Sequence, residues 1–316
     1  MPTSRILTRK SLLGHMTGPG LVMGSMFSSQ LGAVVAVPLM LKHGSFGISA
    51  MRLLFAAIFS LALARPDFRK FSRSQWRAGI SLGVVMAVMT MCYFTAVAMI
   101  PIGPAITIDF LGPLGIAVIA LKGWPRVVLP LLAACGVLAM AYGAHGWLFN
   151  PEGILFALGA ASGWAGYIVL MRHVGRLFSA QEGLCLSFTV AAIVAVPVAC
   201  ALDPPVHWLG QWPAVAGLAL LSPLLPFALE MAALRRIEMG TFSILMSLEP
   251  AIGTMLGFFI LGQVLWTRQA LGVLAVTVAS IAAVTLSSLS HFRLRNLRDQ
   301  PDKARDTVSP CTTPGE

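Results

Sequence analysis

The sequence predicts an all-α membrane protein whose ten transmembrane helices form two inverted five-helix repeats. Three observations support this fold class. Hydrophobic residues make up 57% of the 316 residues and charged residues only 11%, whereas about a quarter of the residues are charged in soluble domains. Ten apolar stretches are each long enough to approach the roughly 20 residues that a membrane-spanning helix needs. Basic residues are concentrated in alternate connections between these stretches.

The ten apolar stretches, which we number as spans 1 to 10, are separated by short connections. In chain order they cover residues 18–40, 48–64, 78–100, 103–121, 127–143, 153–171, 183–202, 214–234, 239–261 and 268–289. The longest connection between spans, 65–77, is strongly basic. The chain therefore has little mass outside the membrane.

The distribution of Lys and Arg predicts the orientation of the chain. If the N-terminus is cytoplasmic, all but three of the 22 basic residues lie on the cytoplasmic side or in the tail, and the exceptions are Lys42, Arg52 and Arg268. Such a bias follows the positive-inside rule, and it places both termini in the cytoplasm. Membrane topology thus accounts for the net charge of +10, and no nucleic-acid partner is needed to explain it.

A weak internal repeat supports the division into two halves. When Pro113 is aligned with Pro250, Gly103 meets Gly240 and Leu111 meets Leu248. The stretches "GLVMG" (20–24) and "GAASG" (159–163) have the same GxxxG spacing, which lets helices approach closely. Because each half has five spans, the halves have opposite orientations in the membrane. Inverted repeats are typical of secondary transporters, whose substrate sites lie between the repeats.

Three carboxylates lie within predicted spans: Asp109 in span 4, Glu230 in span 8 and Glu249 in span 9. Ionisable residues inside a membrane typically mark a substrate or proton pathway, because burial favours the neutral form of a carboxyl group and so lets it exchange protons. We predict proton coupling and substrate contact for Asp109 and Glu249. Glu230 is included as a third candidate, although pairing with Arg235 or Arg236 would give it a structural role.

Other polar residues of the spans are candidates for substrate binding. Arg52 in span 2 could hold a substrate carboxylate with two hydrogen bonds, pair with Asp109, or extend to the outer lipid headgroups. Hydroxyl and amide groups in spans 1 and 3 could bind a polar ligand or join helices; they belong to Ser29, Gln30, Thr90 and Tyr93.

Pro113 and Pro250 predict kinks within spans 4 and 9. A proline inside a helix removes one hydrogen bond and frees the carbonyl four residues earlier, which for Pro113 is that of Asp109. Freed carbonyls are tolerated in a membrane where they line a cavity or meet polar side chains. The two kinks therefore predict a polar cavity beside Asp109 and Glu249, and the alternative is that they serve packing alone.

Motifs of enzymes and pumps are absent from the sequence. We find no HExxH, GxSxG or Walker motif, and the five cysteines are not spaced like metal ligands. The sequence therefore predicts neither an enzyme nor a cofactor or metal site.

Two stretches carry a resemblance to a known family. "LSPLLPFALEMAALRRIEMGTFSILMSLEPAIGTMLGFFILGQ" (221–263) and "IPIGPAITIDFLGPLGIAVIAL" (100–121) are similar to EamA-type drug/metabolite transporters, especially the bacterial threonine/homoserine exporters among them. "AMRLLFA" (50–56) places Arg52 in the family pattern. The chain departs from the family at Asp109, where relatives often have Glu, and at Gln263, where many repeats end in "LGE".

The resemblance implies a multi-pass protein of the bacterial inner membrane that exports small polar metabolites by proton antiport. Threonine and homoserine are the first substrates to consider, and protons and the lipid bilayer are the other implied partners. It also implies two EamA repeats, 18–143 and 153–289, joined by a periplasmic connection at 144–152 and flanked by cytoplasmic segments at 1–17 and 290–316. The alternatives are an exporter of another metabolite or an amphipathic drug, and a membrane sensor or assembly protein that transports nothing. The oligomeric state stays open, with a homodimer among the options.

Overall fold

The computed structural model confirms the helical membrane architecture. It describes residues 9–119, 121–143, 146–147, 150–178, 180–234, 236–237, 239–264 and 266–305. Within these residues, nine helical stretches are long and apolar enough to cross a membrane, and a shorter apolar helix, Pro125–Met140, occupies predicted span 5. Each of the ten predicted spans therefore corresponds to helical structure.

The first half of the chain contains six helices, because span 4 is divided in two. They are α1 (Arg9–His43), α2 (Ser45–Ala64), α3 (Arg73–Met99), α4 (Ile102–Asp109), α5 (Leu111–Ile119) and α6 (Pro125–Ala141). A short 3₁₀ turn, Phe68–Lys70, precedes α3. Ser72 caps α3 through a capping box with Gln75, which satisfies two N–H groups that the helix itself leaves unpaired.

A small hairpin connects the halves. Strands β1 (Tyr142–Gly143) and β2 (Gly146–Trp147) pair antiparallel, with Tyr142 opposite Trp147. The end of predicted span 5 is thus extended rather than helical. The neighbouring Asn150 caps the next helix by accepting a hydrogen bond from the N–H of Glu152.

The second half contains eight helices, because spans 8 and 9 are also divided and a short helix lies between spans 7 and 8. They are α7 (Pro151–Leu177), α8 (Ala180–Leu202), α9 (Pro205–Trp208), α10 (Trp212–Ala219), α11 (Leu225–Leu234), α12 (Met239–Met246), α13 (Glu249–Leu261) and α14 (Thr267–Arg305). A 3₁₀ turn, Leu209–Gln211, precedes α10, and a π-helical turn, Leu220–Leu224, joins α10 to α11.

The two halves are interleaved rather than side by side. Helix α3 packs along α7 and α8, α2 along α8, α6 along α14, α1 along α11, and α4 along α13. The main buried cluster accordingly combines both halves, with Leu53, Leu82 and Ile102 from the first and Phe188 and Val215 from the second. Folding therefore joins the halves through a shared core, and a site between them is bounded by both.

The two GxxxG stretches differ in their packing. Gly163 and Gly159 face Met89 and Cys92 of α3, and a Cβ added at Gly163 would lie 2.8 Å from the Met89 Cβ. Gly24 faces Leu229 loosely, and a Cβ at Gly20 would meet no described atom within 4 Å. The close helix approach predicted from this spacing is therefore found in the second half, and the prediction is wrong for Gly20.

Candidate functional site

A cavity of about 190 Å³ lies between the two halves of the chain. Three of the spans are interrupted: span 4 at Phe110, span 8 at Ser222 and span 9 at Ser247–Leu248. Residues from each of these spans line the cavity. The lining also includes every polar candidate named from the sequence: Ser29, Gln30, Arg52, Thr90, Tyr93, Asp109, Glu230 and Glu249.

Glu249 is held at the cavity by a short chain of hydrogen bonds. It is the first residue of α13 and is 5% exposed. Its Oε1 accepts a hydrogen bond of 2.9 Å from Nε2 of Gln30, and Oε1 of Gln30 accepts one of 3.3 Å from the Tyr93 hydroxyl. Oε2 of Glu249 has no hydrogen-bond partner among the described residues, so this oxygen is free to bind a solute or a proton.

Asp109 is the last residue of α4, where the helix is interrupted at Phe110. Its side chain is 6% exposed, and Oδ1 has no hydrogen-bond partner in the described part of the chain. Pro113 lies just beyond the interruption, in the first turn of α5, and has no N–H for the carbonyl of Asp109. Pro250 has the matching place in span 9, as the second residue of α13. Neither proline lines the cavity itself, and each lies next to the interruption that presents an acid to it.

Arg52 lies inside the protein, where the residue is only 2% exposed. Nη2 donates to the backbone carbonyl of Ser222 at 2.8 Å and to its hydroxyl at 3.1 Å, and the guanidinium carbon lies 3.8 Å from the centre of the Phe94 ring. The Nε and Nη1 atoms have no described hydrogen-bond partner. Because it is buried, Arg52 does not extend to the outer headgroups. It also forms no ion pair with Asp109 among the described residues, where the ion pair found joins Lys70 and Asp67.

The interruption at Ser222 was not predicted from the sequence. Its backbone is extended (φ −159°, ψ 115°) within an otherwise helical span. The freed carbonyls are satisfied by polar side chains of the first half: Ser28 donates to Leu221 at 2.7 Å, and Arg52 donates to Ser222. Prolines 223 and 226 in "LSPLLP" were the local signal for this interruption.

Glu230 has a hydrogen-bond partner that the sequence did not suggest. It lines the cavity half-buried, and its Oε1 accepts a hydrogen bond of 2.6 Å from Ser25. Arg236 instead donates to the carbonyl of Ala232 in its own helical end, so the suggested pairing with Arg236 is wrong. Arg235 lies outside the described residues. The hydroxyl of Ser25 in α1 satisfies the Glu230 carboxyl. Arg236 is exposed, so water can solvate its guanidinium without a carboxylate partner.

The remaining wall of the cavity is apolar and partly aromatic. It includes Met86, Met89, Phe94, Trp164, Tyr167, Phe188 and Phe227. Sequence reasoning missed this wall, because aromatic residues in membrane spans carry no local sign of which face they occupy. The site therefore combines buried groups of both charges with a hydrophobic surface. No group of three His, Cys, Asp or Glu side chains suited to a metal ion occurs in the described part of the molecule.

Comparisons with known proteins agree with this architecture. A profile of the EamA-like transporter family matches residues 151–285. The threonine/homoserine exporter RhtA of Salmonella typhimurium strain LT2 is 30% identical over 265 residues, which cover 82% of this chain and 88% of that protein. RhtA of Escherichia coli K12 is 29% identical over 280 residues, which cover 86% of this chain and 92% of that protein. A crystal structure of a protein with 20% identity matches 87% of this chain and 97% of its own at a TM-score of 0.57, and this likeness concerns the fold alone.

Proposed function

This chain belongs to the EamA-like transporter family, and we propose that it is a secondary active transporter that exports small polar metabolites by proton antiport. Amino acids such as threonine and homoserine are the substrates we would test first, because relatives that cover most of the chain are named for their export. We further propose that it lies in the bacterial inner membrane with both termini cytoplasmic, in accord with the distribution of Lys and Arg.

One observation carries this proposal: residues of opposite charge that line the same cavity each have buried atoms without a described partner. Arg52 offers Nε and Nη1, while Asp109 and Glu249 offer Oδ1 and Oε2. Buried charged groups that lack partners are costly, so their presence in a cavity favours a ligand that supplies the missing partners. An amino acid carries a carboxylate and an ammonium group and can pair with both.

The same groups suggest how export would be coupled to protons. An ionised Asp109 or Glu249 would attract the substrate ammonium, and the protonated carboxyl would not. Proton and substrate would therefore compete for the same oxygens, so that loading one releases the other. A solute gradient would then be maintained if one half of the protein moves against the other and exposes the cavity alternately to each side.

Arg52 would define the other end of the substrate. A guanidinium can bind a carboxylate through two parallel hydrogen bonds, and Nη2 is already fixed by Ser222. Only part of the group is then left for the substrate, which sets the direction from which its carboxylate can approach. With Arg52 and the two acids lining one cavity, solutes that carry both charges, such as α-amino acids, would be favoured over solutes that carry a single charge.

The proposal is tested by transport in proteoliposomes that contain the purified protein. Labelled homoserine and threonine are offered from outside while the lumen is more acidic than the medium, so that outward proton movement drives uptake. We expect uptake above that of empty liposomes and its loss when a protonophore is added. Failure to accumulate either amino acid, beside an active control carrier, would contradict the amino-acid assignment.

The aromatic wall supports a second candidate, export of an amphipathic drug. Aromatic faces attract organic cations, and Trp164, Phe188 and Phe227 line the cavity. Competition separates the two candidates: an amphipathic cation such as ethidium would be accumulated under the same gradient, and would outcompete homoserine, if this second function were correct.

A further inference from the structure

Two helices of the first half begin without caps of their own. The residue before α2 is Gly44, which has no side chain, and α4 follows Pro101, which makes no side-chain cap. The first N–H groups of a helix have no acceptor within that helix and must find one elsewhere. The starts of α2 and α4 therefore depend on other parts of the chain.

The second half supplies both missing acceptors. Asp203, just after α8, accepts a hydrogen bond of 2.9 Å from the N–H of Gly47 through Oδ2. Gln263, just after α13, accepts one of 3.0 Å from the N–H of Ile102 through Oε1. Each bond joins the two halves, and each fixes a helix that carries a cavity residue, since Arg52 is on α2 and Asp109 is on α4.

The fit around Asp203 is close. Gly44 has φ 95°, a conformation that favours glycine, and a Cβ at this position would clash with the Asp203 carboxylate. Trp208, which is 3% exposed, donates from its ring N–H to the Asp203 carbonyl at 3.0 Å. The loop after α8 is thus built to present this carboxylate to α2.

The contact beside Gln263 is equally tight. A Cβ at Gly103 of α4 would lie 2.7 Å from Oγ1 of Thr254, and one at Gly257 of α13 would lie 2.9 Å from Oε1 of Gln263. Helices α4 and α13 therefore pack closely at these two glycines. In the continuations of these spans, α5 packs on α6, α7 and α14, and α12 packs on α1, α11 and α14.

We propose that Asp203 and Gln263 are latches that hold the two halves together at the face of the protein where α2 and α4 begin. Loss of either latch would shift the protein toward a conformation in which the cavity is open at this face. This inference rests on the proposed function, because it requires a protein that exposes its cavity alternately. In the orientation proposed above, the latched face is periplasmic.

The test measures access to the cavity from this face. All five cysteines are replaced by alanine, and Ser29→Cys introduces one thiol into the cavity wall. A membrane-impermeant maleimide is then added to the latched face of sealed vesicles, and the rate of labelling is recorded in the absence of substrate. Because no transport is measured, this readout can fail or succeed independently of the amino-acid assignment.

We expect Gln263→Leu to raise the labelling rate about fivefold, which corresponds to the loss of one neutral hydrogen bond. Asp203→Ala should raise it about tenfold, because its bond involves a charged acceptor. The matched controls are Ser72→Ala and Asn150→Ala, which remove helix caps made within one half and should leave labelling unchanged.

A variant in the opposite direction tests the latch even if the first two variants fail to fold. Gln263→Glu keeps the acceptor oxygen and adds negative charge at a helix N-terminus, which strengthens the bond, so labelling should fall below that of the parent. The inference is overturned if the glutamate variant labels as fast as the parent, or if the two controls raise labelling as much as the latch variants.

Discussion

Arg52 reaches from the first half of the chain to the second and donates from Nη2 to both the carbonyl (2.8 Å) and the hydroxyl (3.1 Å) of Ser222. The carbonyl is free to accept because the backbone of Ser222 is extended within a helical span. An interruption in one half thus orients a cation in the other. Two nitrogens of that cation lack described partners, and we propose that they bind substrate.

Replacing Arg52 by lysine should lower transport of homoserine at least tenfold, although the charge is kept. A lysine ammonium is a point charge on a flexible stem and cannot contact Ser222 and a carboxylate with the same fixed fork. The measurement is the initial rate of uptake in proteoliposomes at low substrate concentration. Arg126→Lys, at an exposed arginine, is the matched control, and a fully active Arg52→Lys variant would refute the binding role.

Neutral amides at the two acids should separate proton coupling from substrate passage. In Glu249→Gln and in Asp109→Asn, the side chain can no longer change its protonation, so uptake driven by a pH gradient should fall at least tenfold in each. Exchange of labelled for unlabelled substrate at equal pH should persist in at least one of the two variants, because the second acid remains.

The control for this pair is Glu152→Gln, at an exposed acid in the first turn of α7, which should behave as the parent protein. If both cavity variants retain full pH-driven uptake, neither acid carries the coupled proton.

Gln30→Leu should destabilise the protein and reduce transport together. The change leaves Oε1 of Glu249 without its donor and the Tyr93 hydroxyl without its acceptor, and an unsatisfied buried polar group costs about 1–3 kcal/mol. The thermal unfolding temperature in detergent should decrease. Ser162→Ala, which removes an exposed hydroxyl bonded only within its own helix, should unfold at the parental temperature, and equal stability of the two variants would argue against this network.

Gly257→Ala should destabilise the protein by about 1–3 kcal/mol, the usual cost of overpacking. The added methyl group would clash with Ile102 and crowd the Gln263 amide. Gly217→Ala is the matched control, since a Cβ there meets nothing within 4 Å and alanine favours a helix. Unfolding temperatures of the two variants measured side by side test the contact, and a Gly257→Ala protein as stable as the control would contradict it.

Much of the candidate site could be predicted from the sequence, because a charged or strongly polar residue inside an apolar span is conspicuous. Asp109, Glu249, Arg52 and Gln30 were identified in this way, and all line the cavity. Their partners were not predictable. The alternatives for Arg52 were a substrate, Asp109 or lipid headgroups, and its partner in the structure is a serine 170 positions away.

The sequence by itself determined the ten spans, since hydropathy is a sum over neighbouring residues and needs no knowledge of contacts. The resemblance of 100–121 and 221–263 to EamA-type transporters indicated the family. The sequence also located the proline-linked interruptions in spans 4 and 9. Only the tertiary structure decided which groups share the cavity, where span 8 is interrupted and which residues cap α2 and α4. Those outcomes depend on pairs such as Gln30 and Glu249, which lie 219 positions apart, and such a pair forms only after packing has removed water and left each polar group to find a partner within the protein.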